Sequence, residues 1–316
     1  MRDITAKFSS LRTAKGIGVV FCQPETLTRI MENRLPKGNL FDIARAAGYL
    51  GAKQTEALIP HCHPVSIDAL DIRYEYLEPK HLNKDLAAYQ EHHGVVIYAE
   101  GKSLGRTGIE MEVLTAISVT ALTIYDLLKP IDKEVEIGSI RLLDKRGGKS
   151  DRPKPKAGTA DSAILVCSDK GSVGEREDES GMVIREMLRE QGASVKAYAM
   201  VPDDADAIRQ QLQAWVDQDI PFVFVTGGTG SGPRDVTPEV VYDLCDKELP
   251  GVAEAMRAYG QQRTQYAMLS RSVAGIARNT TIISLPGSPK GVRESLQAIM
   301  PAVFHNRPVS EGEGHD

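Results

Sequence analysis

Hydrophobic and polar positions alternate in parts of the first half of the chain and recur at helical spacing in others. Residues 70–76 alternate apolar and polar side chains, which predicts a strand with one buried face. Short apolar runs at 95–98 and 135–137 predict further strands. Helices are predicted over 40–57 and over 112–129, where apolar residues recur four, three and four positions apart. Because strands and helices do not alternate strictly, the pattern predicts an α+β domain with a ferredoxin-like, mainly antiparallel sheet.

The second half follows a different pattern, in which strands and helices alternate. Strand-like apolar runs occupy 162–167, 194–201, 221–226 and 280–285. Helical patterns near 180–190 and 205–216 lie between the first three runs, and a final helix follows the last run. This alternation predicts an α/β three-layer domain with a mostly parallel sheet. Ligands of such domains bind at the carboxyl ends of the strands, so the loops there form the candidate site.

Length and a change in composition divide the chain into two domains. Its 316 residues suit two domains better than one. Residues 146–160 are rich in Gly, Pro and Lys and lack apolar periodicity, as is typical of a linker. We therefore expect one domain over 1–150, a linker over 151–160, a second domain over 161–305 and a disordered polar tail over 306–316.

Composition and charge argue against several classes of protein. Hydrophobic residues make up 41% and charged residues 26% of the chain, a balance that supports a core in each domain. The net charge of -5 argues against a nucleic-acid-binding protein. The four cysteines form no Cys-x-x-Cys pair, and the N-terminus lacks the character of a signal peptide. With no run of about 18 apolar residues, we expect a cytoplasmic protein without nucleic-acid or membrane partners.

A glycine-rich loop is the strongest motif of the second half. It follows a predicted strand directly and begins with Thr226, Gly227, Gly228, Thr229 and Gly230. The crowded backbone N–H groups of such a loop bind anions, and a glycine-rich turn without a ligand is the alternative. The lysine of a Walker loop is missing, which argues against a P-loop nucleotide site.

Two carboxylates and two further loops fall at the same edge of the predicted sheet. Asp235 follows the glycine loop, either as a magnesium ligand or as a helix cap. Asp203 follows the second strand, either as a partner carboxylate or as a turn residue. The other loops offer hydroxyl, backbone and cationic groups to a phosphate: Ser168 and Asp169 after the first strand, and Ser288, Pro289 and Lys290 after the last.

Two histidines, a cysteine and two glutamates are candidate polar groups of the first half. His61 and His63 flank Cys62 and suggest a metal site, but no carboxylate or cysteine spacing completes the ligand set. A proline-flanked histidine that acts as an acid, a base or a phosphate donor is the alternative that we favour. Glu110 and Glu112 open a predicted helix, where carboxylates also stabilise the helix dipole.

Lysines form the last group of candidates. Lys129 ends a predicted helix three residues after Asp126, a spacing that allows an ion pair to orient the amine. Lys37 and Lys145 lie in or next to glycine-containing segments. For each of these lysines, a solvated surface charge is the alternative.

Several segments of the first half occur in register in one known family. They lie at 37–39, 58–64, 107–112, 121–126 and 147–150. Together they resemble the MoaC-type cyclic pyranopterin monophosphate synthases of molybdenum cofactor biosynthesis, over about residues 3–150. One position differs, because this chain has Asn39 where an aspartate is expected in that family.

The resemblance implies an activity and roles for the candidate residues. The first domain would convert a 3',8-cyclised dihydro-GTP into cyclic pyranopterin monophosphate with loss of pyrophosphate. Lys37 and Lys129 would be the acid and the base, oriented by Asp126, with amine pKa values lowered by desolvation among other cations. The implied substrate-binding residues are Arg12, Lys15, His63 and Lys145 for the triphosphate, Glu110 and Glu112 for the guanine-derived ring, and His61, Cys62, Met111 and Lys149 in addition.

The second half resembles the MogA and MoaB family of molybdopterin adenylyltransferases, over about residues 162–303. The matching motifs lie at 168–169, 201–203, 226–230, 234–238, 249–251, 269–271 and 285–290. The resemblance implies transfer of AMP from ATP to the terminal phosphate of molybdopterin, with Mg²⁺ at Asp203 and Asp235 and no tightly bound organic cofactor. The glycine loop would hold the ATP phosphates, and Ser288 and Lys290 the molybdopterin phosphate.

Two other functions and an assembly follow from the same resemblances. Both domains could be non-catalytic pterin carriers, or an active synthase could be fused to a non-catalytic pterin-binding domain, because the second fold also occurs in proteins that only bind molybdopterin. The two families imply a trimer of dimers and a trimer, so we expect a homohexamer with 32 symmetry. Its expected partners are the small-molecule substrates: cyclised dihydro-GTP, molybdopterin and ATP.

Overall fold

The computed structural model describes residues 1–36, 38–79, 85–148, 161–172 and 177–306. The chain divides into two compact units, Met1–Asp151 and Arg152–Asp316. The predicted linker and all of the predicted tail after residue 306 lie outside the described residues. Each unit has its own sheet and its own hydrophobic core.

The N-terminal unit contains one four-stranded sheet. Its elements are, in chain order, β1 (Ser10–Phe21), α1 (Pro24–Met31), α2 (Leu40–Lys53), α3 (Thr55–Leu58), β2 (Ala69–Leu77), β3 (Gly94–Gly105), α4 (Glu110–Leu128) and β4 (Glu136–Arg146). The strand order is β2-β3-β1-β4, and every neighbouring pair is antiparallel, as in a ferredoxin-like sheet. The predicted α+β class is therefore confirmed. The predicted helix over 40–57 consists of two helices, with Gln54 in a turn conformation between them.

Helix α4 packs across the sheet and fills the core of this unit. Val113, Ile117 and Ile124 are fully buried in the cluster that α4 forms with β1 and β3. Glycines in β1 allow the close approach, because a Cβ atom at Gly18 would lie 2.4 Å from Ile117 Cγ2 and one at Gly16 2.7 Å from Ile117 Cδ1. The same glycines interrupt the apolar pattern of β1, which is why the pattern did not predict that strand.

By length and composition alone, α4 is also apolar enough to cross a membrane. Half of its most apolar 18-residue window is buried inside the protein. A core helix passes the same test, so this feature is weak evidence for a membrane span.

The C-terminal unit contains a six-stranded mixed sheet. Its elements are β5 (Ser162–Cys167), α5 (Asp169–Ser172), α6 (Glu179–Glu190), β6 (Val195–Val201), α7 (Ala205–Asp217), β7 (Phe222–Thr226), α8 (Thr237–Leu244), β8 (Lys247–Glu248), α9 (Pro250–Gln261), β9 (Ala274–Ala277), β10 (Thr280–Leu285) and α10 (Pro289–Ile299). The strand order is β6-β5-β7-β10-β9-β8. The first four strands are parallel, and β9 is antiparallel to both of its neighbours.

Helices cover both faces of this sheet. Residues of α6, α9 and α10 pack on one face around Ile164, Phe222 and Phe224. Residues of α7 and α8 pack on the other face around Leu165 and Val223. Alternate residues of each buried strand point to opposite layers, so the strands read as continuous apolar runs. The predicted three-layer α/β fold with a mostly parallel sheet is confirmed.

Candidate active sites

The N-terminal end of α4 places a carboxylate next to a lysine. Glu110 Oε1 lies 3.2 Å from Lys145 Nζ on β4, and both side chains are partly exposed. Glu110 also folds back over Gly108, in a position that a side chain at 108 would block. Met111, which follows Glu110 on the helix, is 38% exposed. The ion pair therefore lies at the surface, where an anionic ligand can reach the lysine.

Glu112 is the buried acid at this end of α4. It is 4% exposed, and its Oε2 has no hydrogen-bond partner among the described residues. Burial raises the pKa of the Glu112 carboxyl, a hydrogen bond from its own backbone lowers it in part, and the charges of Glu110 and Glu56 raise it further. A buried carboxyl without a partner requires an explanation, and a polar ligand is one.

The turn at 61–63 lies close to Glu112. Cys62 is partly buried and donates its backbone N–H to Ile59 O at 3.0 Å. Burial raises the pKa of its thiol, and the charge of Glu112 adds to this effect. His61 is exposed and His63 is partly buried. We refer to Cys62, Glu110, Glu112 and Lys145 as the α4 cluster.

The metal site considered at the two histidines finds no support. Within the described ranges, no group of three or more His, Cys, Asp or Glu side chains is arranged to hold a metal ion. The acid, base or phosphate-donor roles of the histidines stay predictions.

Strand β1 contributes two cations with different surroundings. Arg12 is 8% exposed, and its Nε donates to Gly105 O at 3.1 Å. Gly148 lies over the guanidinium, where a Cβ atom would be 2.4 Å from Nη1. Lys15 Nζ lies 3.0 Å from Glu100 Oε2 on β3, and its side chain is half exposed. Arg12 is thus a fixed cation, whereas Lys15 is accessible to a ligand.

The C-terminal end of α4 carries Lys129 and Asp126. Lys129 Nζ lies 2.6 Å from Asp126 Oδ1, so the ion pair expected from the spacing is present. The hydrogen bond and the charge of Asp126 raise the pKa of the Lys129 amine. The expected lowering of this pKa is therefore wrong for a single chain, because the amine is exposed and its nearest charge is a carboxylate.

The two ends of α4 are far apart. Its 19 residues span about 28 Å at roughly 1.5 Å per residue. Within one chain, Lys129 and Asp126 are therefore separated from the α4 cluster. Lys37 and Lys149 lie outside the described residues.

In the C-terminal unit, the carboxyl ends of the parallel strands meet at one edge of the sheet. β5 leads into Ser168 and Asp169, β6 leads to Asp203, and β10 leads into 286–288. Asp203 N–H donates to Asp169 Oδ1 at 3.0 Å, and Asp169 N–H donates to Asp203 Oδ2 at 3.3 Å. Asp169 also forms an ion pair with Arg234. These contacts tie the loops after β5, β6 and β7 together.

The glycine loop after β7 has a backbone geometry that favours glycine. Gly227 has φ of 100° and Gly228 has φ of 62°. A Cβ atom at Gly227 would lie 2.2 Å from Cys167 O at the end of β5. Thr226 Oγ1 donates to Pro286 O at 2.7 Å after β10. The loop is therefore packed against the neighbouring strand ends, with its backbone facing the site.

A cavity of about 430 Å³ lies at this edge, and we refer to it as the acidic cavity. Asp203, Asp235, Gly227 and Gly228 are among the residues that line it. Asp203 Oδ1 is buried and has no hydrogen-bond partner within the described part of the chain. Burial raises the pKa of the Asp203 carboxyl, and the charge of Asp235 raises it further.

The acidic cavity fits a magnesium ion bound together with phosphate. Mg²⁺ prefers oxygen ligands and is usually held by one or two carboxylates and by substrate phosphates. A cation here would offset the repulsion between Asp203 and Asp235 and would give Asp203 Oδ1 a partner. Asp235 does not cap α8, because its Oδ2 accepts the Gly232 N–H at 2.8 Å. The N-cap position of α8 is Val236, whose side chain forms no capping hydrogen bond.

A second cavity of about 390 Å³ shares Gly287 and Ser288 with the acidic cavity. Its lining is mainly apolar and includes Met256, Tyr266 and Leu269, so we refer to it as the apolar cavity. Thr229 and Gly230 also line this cavity, which means that the glycine loop separates the two cavities.

Helix α10 begins at the shared wall. Ser288 Oγ accepts the Gly291 N–H at 3.2 Å and caps the helix, and Pro289 is its first residue. Lys290 is exposed. A helix N-terminus with a nearby lysine favours an anion at this wall.

Three acidic residues that the sequence analysis did not select also line the acidic cavity: Glu177, Asp178 and Glu179. Asp178 Oδ1 accepts the Gly181 N–H at 2.8 Å and caps α6, while Asp178 Oδ2 is buried without a partner among the described residues. An acidic residue before a predicted helix was visible in the sequence, but its proximity to the strand ends depends on the fold.

Family models match both halves of the chain. Residues 1–148 match the MoaC family, and residues 163–305 match a probable molybdopterin binding domain. The two matches together indicate a two-domain protein of molybdenum cofactor biosynthesis.

Relatives with both domains match along the whole chain. The molybdenum cofactor biosynthesis bifunctional protein of Chlorobaculum tepidum is 39% identical over 315 residues, which cover 100% of this chain and 96% of that protein. The bifunctional protein of Synechococcus elongatus is 34% identical over 326 residues, which cover 100% of this chain and 98% of that protein. The chain belongs to this family of bifunctional molybdenum cofactor biosynthesis proteins, and the two resemblances drawn from the motifs are confirmed.

Proteins with one domain match each half. The cyclic pyranopterin monophosphate synthase of Syntrophomonas wolfei is 42% identical over 150 residues, which cover 48% of this chain and 88% of that protein. The crystal structure of the molybdopterin biosynthesis enzyme MoaB from Thermus thermophilus is 45% identical with a TM-score of 0.46, and the match covers 48% of this chain and 96% of that chain.

Proposed function

We propose that the N-terminal domain converts a 3',8-cyclised dihydro-GTP into cyclic pyranopterin monophosphate and pyrophosphate. The relatives named as synthases support this reaction for the MoaC half of the chain. The observation that carries the proposal is the buried carboxyl of Glu112, whose Oε2 lacks a partner among the described residues. It lies near the accessible ion pair between Glu110 and Lys145. This arrangement suits a ligand with both a polar ring edge and a phosphate group.

The α4 cluster binds the substrate in this proposal. Glu110 and Glu112 hold the N–H edge of the guanine-derived ring, and a neutral Glu112 can donate as well as accept a hydrogen bond. Cations and N–H donors hold the triphosphate: Arg12, Lys15, His63, Lys145 and Lys149. Lys37 and Lys129 move protons during the ring rearrangement, with Asp126 orienting Lys129.

We infer that two chains complete each synthase site. One face of α4 leaves Leu122 58% and Tyr125 38% exposed, although a helix that is apolar all round is normally buried. A second chain packed antiparallel on this face would place Lys129 of one chain beside the α4 cluster of the other. Burial at that contact would lower the pKa of the Lys129 amine toward the value that proton transfer needs.

Turnover of lysine variants tests the synthase assignment. Lys37→Ala and Lys129→Ala should each lower turnover about 100-fold to 10,000-fold, the usual contribution of an acid–base group. Lys133→Ala, which changes an exposed lysine near the end of α4, is the matched control. Turnover within about twofold of the parent for both variants would refute the assignment. A loss confined to KM would instead place the lysines among the phosphate-binding residues.

We propose that the C-terminal domain transfers AMP from Mg-ATP to molybdopterin. The observation that carries this proposal is the buried, unpartnered Asp203 Oδ1 beside Asp235 in the acidic cavity. Asp203 and Asp235 would hold Mg²⁺, which neutralises the phosphate charge during transfer. Loop N–H groups and Ser168 would position the triphosphate in the same cavity.

The apolar cavity suits the pterin. Tyr266 offers an aromatic face, and Ser288 and Lys290 lie at the start of α10, where the molybdopterin phosphate would be bound. The wall shared with the acidic cavity would then bring that phosphate next to the ATP phosphates.

The variant Asp235→Asn distinguishes catalysis of AMP transfer from pterin binding alone. The substitution keeps the shape of the side chain but removes a charge that attracts magnesium, so AMP transfer should collapse while pterin binding persists. Asp243→Asn, which changes an exposed carboxylate paired with Arg209, is the control. A parent protein that binds molybdopterin but never releases pyrophosphate from Mg-ATP would instead show that this domain is a non-catalytic pterin-binding domain.

A further inference from the structure

Arg271 contacts the glycine loop and the start of α8 from outside the loop. Its backbone N–H donates to Thr229 O at 3.2 Å, and its Nε donates to Gly230 O at 2.7 Å. The guanidinium also donates to the carbonyl oxygen of Asp235 and forms an ion pair with Glu239 on α8. One residue thus joins both sides of the loop to the helix that follows it.

The bonds within the loop end fix its shape. Gly232 N–H donates to Asp235 Oδ2 at 2.8 Å, and Asp235 N–H donates to Gly232 O at 3.1 Å. These two bonds make the segment a closed turn around the Asp235 carboxylate. The position of this turn relative to Asp203 depends on contacts from outside the turn. Arg271 supplies two of them, to Gly230 O before the turn and to Asp235 O at its end.

Arg271 is itself held in place by α9. Arg257 donates to Ser272 O at 3.0 Å and to Ser270 O at 3.5 Å, so the backbone on both sides of Arg271 is bonded to the helix. A guanidinium has five N–H donors in a rigid plane, which allows one side chain to bond two carbonyls and a carboxylate together. A lysine amine in the same place lacks that planar set of donors.

We propose that Arg271 is a positioning residue for adenylyl transfer, which fixes Asp235 opposite Asp203 without touching the substrate. The proposal rests on the adenylyltransferase function proposed above. A displacement of a catalytic group by about 1 Å costs on the order of 100-fold in rate. Loss of the Arg271 bonds should therefore lower kcat and raise the Mg²⁺ concentration needed for half-maximal rate, with a smaller change in KM for molybdopterin.

Arg271→Gln and Arg271→Lys test this inference in the full chain, with Arg209→Gln as the control, because Arg209 also pairs with an α8 carboxylate on the surface. We expect Arg271→Gln to lower kcat about 100-fold and Arg271→Lys to recover little of it. A kcat and a Mg²⁺ requirement equal to those of the control would overturn the proposal and leave the proposed function intact.

Amide hydrogen exchange of the 227–236 segment gives an independent readout. Exchange in this segment should be faster in Arg271→Gln and Arg271→Lys than in Arg209→Gln, whether or not the protein transfers AMP. A parent without transfer activity would contradict the proposed function, and the exchange rates alone would then test whether Arg271 positions the loop. Equal exchange rates in all three variants would overturn the positioning role of Arg271.

Discussion

Asn39 occupies a position where the synthase motif leads us to expect aspartate, and its contacts explain what the side chain does. Its Oδ1 accepts the N–H groups of Phe41 at 3.1 Å and Asp42 at 3.3 Å, which caps α2. Its Nδ2 donates to Asp42 Oδ2 at 2.5 Å, a bond that an aspartate cannot make. Asparagine and aspartate cap helices about equally well, so the departure keeps the start of α2 intact.

Asn39→Ala should lower the free energy of unfolding of the N-terminal domain by about 1 kcal/mol, because α2 loses its cap. Asn39→Asp should lower it less than the alanine variant does, because the cap is kept although the bond to Asp42 Oδ2 is replaced by a repulsion between two carboxylates. Urea denaturation followed by circular dichroism measures both changes. Equal stability of the alanine variant and the parent would remove the capping role.

Glu112→Gln should stabilise the N-terminal domain at neutral pH. The folded-state pKa of Glu112 is raised, so the folded protein is penalised for carrying the charge, and the penalty is relieved as pH falls through that raised pKa toward the ordinary value of 4.5. The stability advantage of the glutamine variant should therefore be full above the raised pKa and shrink as the pH is lowered through this window. Thermal unfolding at several pH values measures it. An advantage that is constant with pH would contradict a raised pKa.

Helix α4 sets the geometry of the proposed synthase site. The separation between the two groups could be predicted from the sequence, because Glu112 and Lys129 are the two ends of one predicted helix and a helix rises about 1.5 Å per residue. The shielding of Glu112 and the exposure of Lys129 depend on packing, which periodicity does not reveal. The strand ends of the C-terminal domain were predictable because alternating elements imply a parallel sheet. The acidic residues at 177–179 were not, because their place at the cavity depends on tertiary structure.

Assemblies that contain two different variant chains test whether a synthase site combines Lys129 of one chain with the α4 cluster of another. Lys129→Ala and Lys145→Ala chains should each be nearly inactive alone. Co-expression and purification through two different tags should restore about a quarter of the parental activity at random pairing, because half of the pairs are mixed and each mixed pair keeps one intact site. Activity no higher than that of the single variants would place the site within one chain.

The whole protein joins two families whose expected assemblies share a three-fold axis. We propose a homohexamer with 32 symmetry, which would satisfy both and would have three two-fold contacts between α4 surfaces. Light scattering should then report a mass about six times the 34.4 kDa of the chain. A stable monomer with full synthase activity would contradict the assembly and the shared site together.

We propose that each domain of this protein has its own catalytic activity and that the two activities are independent. The most direct measurement assays Lys129→Ala and Asp235→Asn side by side for cyclic pyranopterin monophosphate formation and for Mg-ATP-dependent adenylylation of molybdopterin. Each variant should lose one activity at least about 100-fold and keep the other within about twofold of the parent. A parent that lacks either activity, or a substitution that abolishes both, would refute the proposal of two independent activities.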